Sequence, residues 1–291
     1  MSRLEQEPTF VRSFDDSLLA ARALSTQGGT PLLIVNGIGA NLSPWRRPLE
    51  AIVEERTVIT WDHRGLLDSP APMSERLDPG THAEDAVSVL DHFGIESCVV
   101  ASWSNGARIA LDLADRVPER VRGMVLVCGS HSHGLVDLLR HLEPAPLVSL
   151  FTTVAKHFSG QLEAPFRRLV SRPEITGMIR QSGLVGAEAD TRGLIALLQG
   201  LASCDLRRLL ATYEAVTQEA PREMVAGIQA PCLLIAGAHD RFAPVRMAES
   251  MAATLPSARL EIYPRATHYL PLEFPSKLAE DMRTFFAEVG V

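Results

Sequence analysis

The chain's 291 residues carry a formal charge of −7, with 46% hydrophobic and 22% charged side chains. That length accommodates one α/β core with an insertion, and the composition excludes a largely disordered polypeptide. The acidic balance, with Lys and Arg only scattered, lacks the basic excess that neutralises phosphates, so no nucleic-acid partner is expected.

The polar start, Met1-Ser2-Arg3-Leu4-Glu5-Gln6-Glu7, has no apolar signal segment, and no apolar run reaches the ~18 residues of a membrane span. Both features point to a cytoplasmic protein. Segments 9–14 and 18–24 read as an edge hairpin. Residues 31–35 form an apolar run that ends in Asn36-Gly37-Ile38-Gly39, and residues 57–61 lead into Asp62-His63-Arg64-Gly65. Helical spacing follows over 81–93, then an apolar run at 98–101, a helix over 107–117 and a further run at 124–127. Near-continuous apolar runs suit strands covered on both faces, and their alternation with helices predicts a mostly parallel, twisted sheet flanked by helices. From 131 to 220 only helical periodicity remains, at 135–142, 147–158, 193–201 and 206–216, punctuated by Pro144, Pro146, Pro165 and Pro173. Strands resume at 232–236 and 259–263, the last alternating as an edge strand would. The expected organisation is an α/β core of residues 1–130 and 221–291 with an all-helical cap inserted over 131–220. Cys98, Cys128, Cys204 and Cys232 form no C-x-x-C pair, so neither a disulfide framework nor a metal is expected.

Val99-Val100-Ala101-Ser102-Trp103-Ser104-Asn105-Gly106 runs from a strand into a helix. A serine on such a turn projects its hydroxyl from the sheet edge, where the helix N-terminus supplies oriented amide hydrogens. The turn resembles the nucleophile elbow of the α/β-hydrolase family, usually G-x-S-x-G, with Ser102 in place of the first glycine. The resemblance continues in Gly237-Ala238-His239-Asp240, where the family places an acid after a late strand. It extends to the loop around Thr267-His268, followed by Glu273-Phe274-Pro275. It implies the α/β-hydrolase fold with Ser104 as nucleophile, His268 as general base and Asp240 orienting the histidine. The chemistry needs all three. A serine hydroxyl attacks poorly until a base takes its proton, histidine titrates in the useful range, and the carboxylate fixes one imidazole tautomer. By the same resemblance the backbone amides of Ile38 and Asn105 form the oxyanion hole, with Asn36 where the family usually has histidine. Gly37 and Trp103 are candidates for lining the pocket.

Asp62-His63-Arg64-Gly65 resembles the family's D-x-R-G turn, which is structural, with Leu67 where a second glycine is expected. His131 and His133 form an H-x-H pair without the carboxylate or thiolate partners of a metal site. Serine rather than aspartate at position 104 points to acyl transfer, so hydrolysis of a small or medium carboxylic ester or lactone is the leading expectation. Carbon–carbon bond hydrolysis and cofactor-free perhydrolysis reuse the same residues and stay open. So do a lyase with His268 as base and a non-catalytic ligand receptor. No phosphate loop or dinucleotide fingerprint appears, so no cofactor is expected. The oligomeric state, a homodimer included, is not legible.

Overall fold

The computed structural model describes residues 6–24, 28–129, 159–170, 172, 174–217 and 220–291. Eight strands form one sheet: β1 (Thr9–Arg12), β2 (Leu18–Ala23), β3 (Leu32–Val35), β4 (Val58–Trp61), β5 (Cys98–Trp103), β6 (Val121–Val127), β7 (Cys232–Gly237) and β8 (Ala258–Tyr263). They lie in the order β1-β2-β4-β3-β5-β6-β7-β8. β1 and β2 pair antiparallel, as does β2 with β4, and every other pairing is parallel. The expected hairpin and central strands are therefore present. Burial follows position: every residue of β3, β4, β5 and β7 is buried, whereas at the edges β1 is largely exposed and β8 mostly half-buried or exposed.

The chain passes from β3 to β4 on one side, then returns to place β5 on the other side of β3. Beyond the carboxyl ends of β3 and β5 the connections diverge and leave a crevice, the usual ligand position in an open parallel sheet. Helices α1 (Arg46–Ile52), α2 (Pro79–His92) and α3 (Gly106–Arg116) join these strands. α3 sinks Ile109, Leu111 and Leu113 completely into the core on one sheet face, and each such burial stabilises by about 1.5–3 kcal/mol. Its first residue must be glycine, because a Cβ on Gly106 would lie 2.3 Å from the Val35 carbonyl oxygen and 2.6 Å from that of Asn36. The crowding locks the start of α3 against the end of β3.

Between β6 and β7 the described helices are α4 (Ser159–Val170), α5 (Ile175–Gln181), α6 (Thr191–Ser203), α7 (Leu206–Val216) and α8 (Arg222–Gly227). The segments expected to be helical at 193–201 and 206–216 are α6 and α7. Asp190 caps α6 by accepting from the Arg192 amide at 3.2 Å, and Asp205 caps α7 from the Arg208 amide at 2.7 Å. One expectation fails locally: Pro165 does not interrupt the chain but lies inside α4, at an exposed position. A proline forfeits one helical hydrogen bond, and the helix continues through it. The expected helices at 135–142 and 147–158, and the His131–His133 pair, lie outside the described residues. α6 reaches the loop after β3, where Asn41 Nδ2 donates to the Ala196 carbonyl at 3.0 Å. Two final helices, α10 (Leu270–Glu273) and α11 (Pro275–Glu288), follow α9 (Val245–Ala252) and β8. Among the described residues, no helix is long and apolar enough to cross a membrane.

Candidate active site

Ser104 follows the last residue of β5 with φ of +56°, a left-handed conformation uncommon for a residue bearing a Cβ. Its amide donates to the Val127 carbonyl at 3.0 Å, which ties the turn to the end of β6. Ser102, in the position of the family's first glycine, is fully buried, so the small hydroxymethyl group fits where the resemblance asked for hydrogen. The turn aims Ser104 Oγ at His268 Nε2, 2.9 Å away. On its other side, His268 Nδ1 lies 2.8 Å from Asp240 Oδ2. A carboxylate only accepts, so Nδ1 carries the proton, and the unprotonated Nε2 accepts from the serine hydroxyl. Asp240 is itself fixed, since its Oδ1 accepts from the amides of Phe242 and Ala243, both at 2.8 Å. Asp240 and His268 are 5% and 8% exposed, so water competes little for these bonds.

The loop after β3 approaches from the opposite side. A Cβ on Gly37 would lie 3.4 Å from the Cβ of Ser104, which leaves room for backbone only. Among the described residues, the Ile38 and Asn105 amides donate to no protein acceptor. Asn36 anchors this loop. Its Nδ2 donates to Thr60 Oγ1 at 3.2 Å, and its carbonyl accepts from His63 Nε2 at 2.9 Å. The Asp62–Gly65 turn is structural, with buried Arg64 donating through Nε and Nη2 to Asp85 at 2.8 and 2.6 Å. Leu67 keeps the left-handed backbone, φ +54°, that a glycine there would adopt without strain.

A profile of the alpha/beta hydrolase fold matches residues 30–275. The chain belongs to the α/β-hydrolase fold family. It is 27% identical over 272 residues to a dihydrolipoyllysine-residue acetyltransferase component of the acetoin cleaving system of Pseudomonas putida, covering 90% of this chain and only 65% of that longer protein. It is likewise 27% identical over 262 residues to a putative carbamate hydrolase RutD of Azorhizobium caulinodans, covering 90% of this chain and 92% of the relative. Among solved structures, the enol-lactonase of Burkholderia xenovorans superposes with a TM-score of 0.76 at 19% identity, over 96% of this chain and all (100%) of that one.

In this α/β-hydrolase the serine opens into a cavity of ≈ 270 Å³. Its walls are mainly apolar: Ile38, Ala40 and Trp103 from the core, Leu197 and Leu201 from α6, and Phe242 beside the acid loop. Gly37 and Trp103, the expected lining residues, both border it. Trp103 does more than line the wall, because its Nε1–H donates to the His268 carbonyl at 2.9 Å. The residue before the serine thus holds the main chain of the histidine. The imidazole is flanked by Phe242, Trp103 and Tyr269, with ring centroids 5.1, 5.5 and 6.0 Å away.

Two further residues join the site without having been legible in the sequence. Glu273, buried, accepts from the Thr267 amide at 2.8 Å and from Thr267 Oγ1 at 2.5 Å, and also from the Gly186 amide at 2.6 Å. It pins the residue before His268 to the loop ahead of α6. Cys128 follows the last residue of β6 in a left-handed conformation, φ +48°, and lines the cavity. Its sulfur, the Asp240 carboxylate and a His268 nitrogen lie within 4.8 Å of one another, a spacing that raises the question of a metal. The donors do not suit one. Burial and the adjacent Asp240 hold the thiol well above its usual range, whereas a metal ligand must be the thiolate. Both other groups are already engaged in the hydrogen bonds described above.

Proposed function

We propose that this chain is a serine hydrolase cleaving a small or medium carboxylic ester or lactone through an acyl-serine intermediate. The observation that carries the proposal is the continuous chain from Ser104 Oγ through His268 to Asp240, 2.9 and 2.8 Å, at the mouth of an apolar cavity.

In this reading Ser104 Oγ attacks the substrate carbonyl carbon while its proton passes to His268 Nε2. The negative charge formed on the carbonyl oxygen is received by the Ile38 and Asn105 amides, which have no protein acceptor to give up. Removing one such donor typically costs about 3 kcal/mol of transition-state stabilisation. Asp240 stabilises the imidazolium without taking its proton. The imidazolium then protonates the leaving alkoxide, the carbon–oxygen bond breaks, and the acyl group stays on Ser104. Water, deprotonated by the same histidine, attacks the acyl carbon and releases the acid and the free serine. No cofactor enters the scheme. Residues 131–220 serve as a cap over a core of 1–130 and 221–291, a division supported by the Leu197 and Leu201 side chains that wall the cavity from α6. The names of a relative and of a superposed structure, a putative carbamate hydrolase and an enol-lactonase, leave a carbamate or an enol lactone open beside a simple ester. The apolar walls favour an uncharged acyl group.

A panel of p-nitrophenyl esters of increasing acyl length, run beside lactones, tests the proposal. Hydrolysis of short or medium members is expected, and it should vanish in Ser104→Ala. Turnover of none of them, or equal turnover by Ser104→Ala, contradicts it.

A further inference from the structure

Beside the acid loop, bordered by Asp240 and sharing no lining residue with the apolar cavity, an open cavity of ≈ 530 Å³ lies between residues 183–187 and the loops at 238–241 and 265–267. Three of its lining residues are arginines, Arg180, Arg241 and Arg265, and a fourth is His239. The other charged group on its wall, Asp240, is spent on His268 and on the Phe242 and Ala243 amides. Among the described residues none of the three arginines is paired with a carboxylate, although the chain has 35 acidic against 28 basic side chains. In an acidic protein, chance surface placement would give arginines acidic neighbours. Like charges gathered without a counter-ion raise the local potential and draw anions.

The cluster is also partly organised. Arg180 Nη2 donates to the Ala189 carbonyl at 2.6 Å and to Thr191 Oγ1 at 2.8 Å, which fixes the guanidinium, while its shielded Nε–H has no acceptor. Arg241 Nη1 reaches the Ser182 carbonyl at 3.4 Å, and among the described residues Arg265 and His239 make no side-chain bond. A guanidinium already held in place loses less entropy when it binds an anion.

We propose that this cavity is an anion site for a phosphate group, separate from the apolar cavity at Ser104. Three guanidinium forks supply more donors than the two oxygens of one carboxylate accept, and a phosphate's three or four oxygens match them better. Its occupant bridges the 183–187 segment to the acid loop. The site stands whether or not the hydrolase reading does, because among the described residues neither its three arginines nor His239 hydrogen-bonds to Ser104 or His268.

The test is calorimetric titration of the full chain with pyrophosphate at low salt, with malonate as a dicarboxylate comparison. Saturable binding is expected, tighter for pyrophosphate than for malonate, and at least tenfold weaker in Arg241→Gln/Arg265→Gln. Both side chains are exposed, so the variant should fold, which its unchanged melting temperature without anion would verify. Arg122→Gln removes one positive charge at the amino end of β6, outside the cavity lining, and should bind as the parent does. Absence of saturable binding overturns the proposal, as does equal weakening by Arg122→Gln. Malonate binding as tight as pyrophosphate overturns the assignment to phosphate. The ester panel on the same samples keeps the two claims apart, since lost anion binding with intact hydrolysis touches only this one.

Discussion

Two buried histidine environments, one after β8 and one after β4 and on α2, have opposite chemistry. His268 has a partner on each ring nitrogen, Asp240 at 2.8 Å and Ser104 at 2.9 Å. His63 and His82 stack edge-on, centroids 5.1 Å apart, beneath the loop that carries Ile38. His82 is fully buried and neither of its nitrogens has a hydrogen-bond partner. The nearest carboxylate oxygen, on Asp85, is 3.9 Å away and belongs to Arg64. Burial pushes His63 down to about 4, and burial together with the neighbouring His63 and Arg64 charges pushes His82 well below its usual value. The contrast shows that burial alone makes a histidine an inert wedge. A carboxylate on one nitrogen and a hydroxyl on the other are what prepare it to receive a proton.

The largest expected effect comes from breaking the first environment. Asp240→Asn keeps the shape but presents an amide that can donate to Nδ1, favouring the tautomer that blocks Nε2. A loss of roughly 10⁴-fold in kcat is expected, read from steady-state hydrolysis, with the fold intact by circular dichroism. Retention of more than a tenth of the activity would break the comparison, since His268 would then not need its carboxylate.

The smaller effect belongs to the second environment and appears in stability. Above pH 6.5 neither the folded nor the unfolded chain protonates His63 or His82, so neither residue makes stability depend on pH. Below 6.5 the unfolded chain binds these protons before the folded chain does, down to about 4 for His63, so stability falls as the pH is lowered. Each such histidine costs about 1.4 kcal/mol per pH unit in that window. His82→Leu should therefore lose less stability than the parent as the pH is lowered from 7 to 5. Urea midpoints at the two pH values measure this. Parallel acid losses in parent and variant would show that His82 is not held neutral by the fold.

The residues that meet at the candidate site were legible for a topological reason. Ser104 and Asp240 each follow a fully buried strand and His268 follows the alternating edge strand β8, so the apolar runs of β5 and β7 and the alternation of β8 mark where the chain turns out of the sheet. The edge hairpin and the parallel centre were legible for the same reason, since period and continuity of apolar residues report burial directly. What escaped depends on contacts between distant segments. Nothing local to Trp103 shows that its indole reaches the His268 carbonyl, and Cys128 reads as one more apolar strand residue until β6 and β7 are side by side. Glu273 was visible only as part of a helix start, because its work is done on Thr267 and Gly186. Pro165 misled because a proline is a strong local breaker, yet α4 runs through it. The short α1, with prolines at 44 and 48, offers too few turns for a periodic signal. Leu67 departs from the glycine expected there, and the fold nonetheless imposes the left-handed backbone on it.

The most direct measurement of the central claim is the site of covalent labelling by a fluorophosphonate probe, mapped by mass spectrometry. Ser104 placed against a histidine with both nitrogens engaged should react stoichiometrically, the adduct should sit on the peptide containing Ser104, and Ser104→Ala should take up none. An unlabelled native protein, or an adduct that persists in Ser104→Ala, would contradict the account.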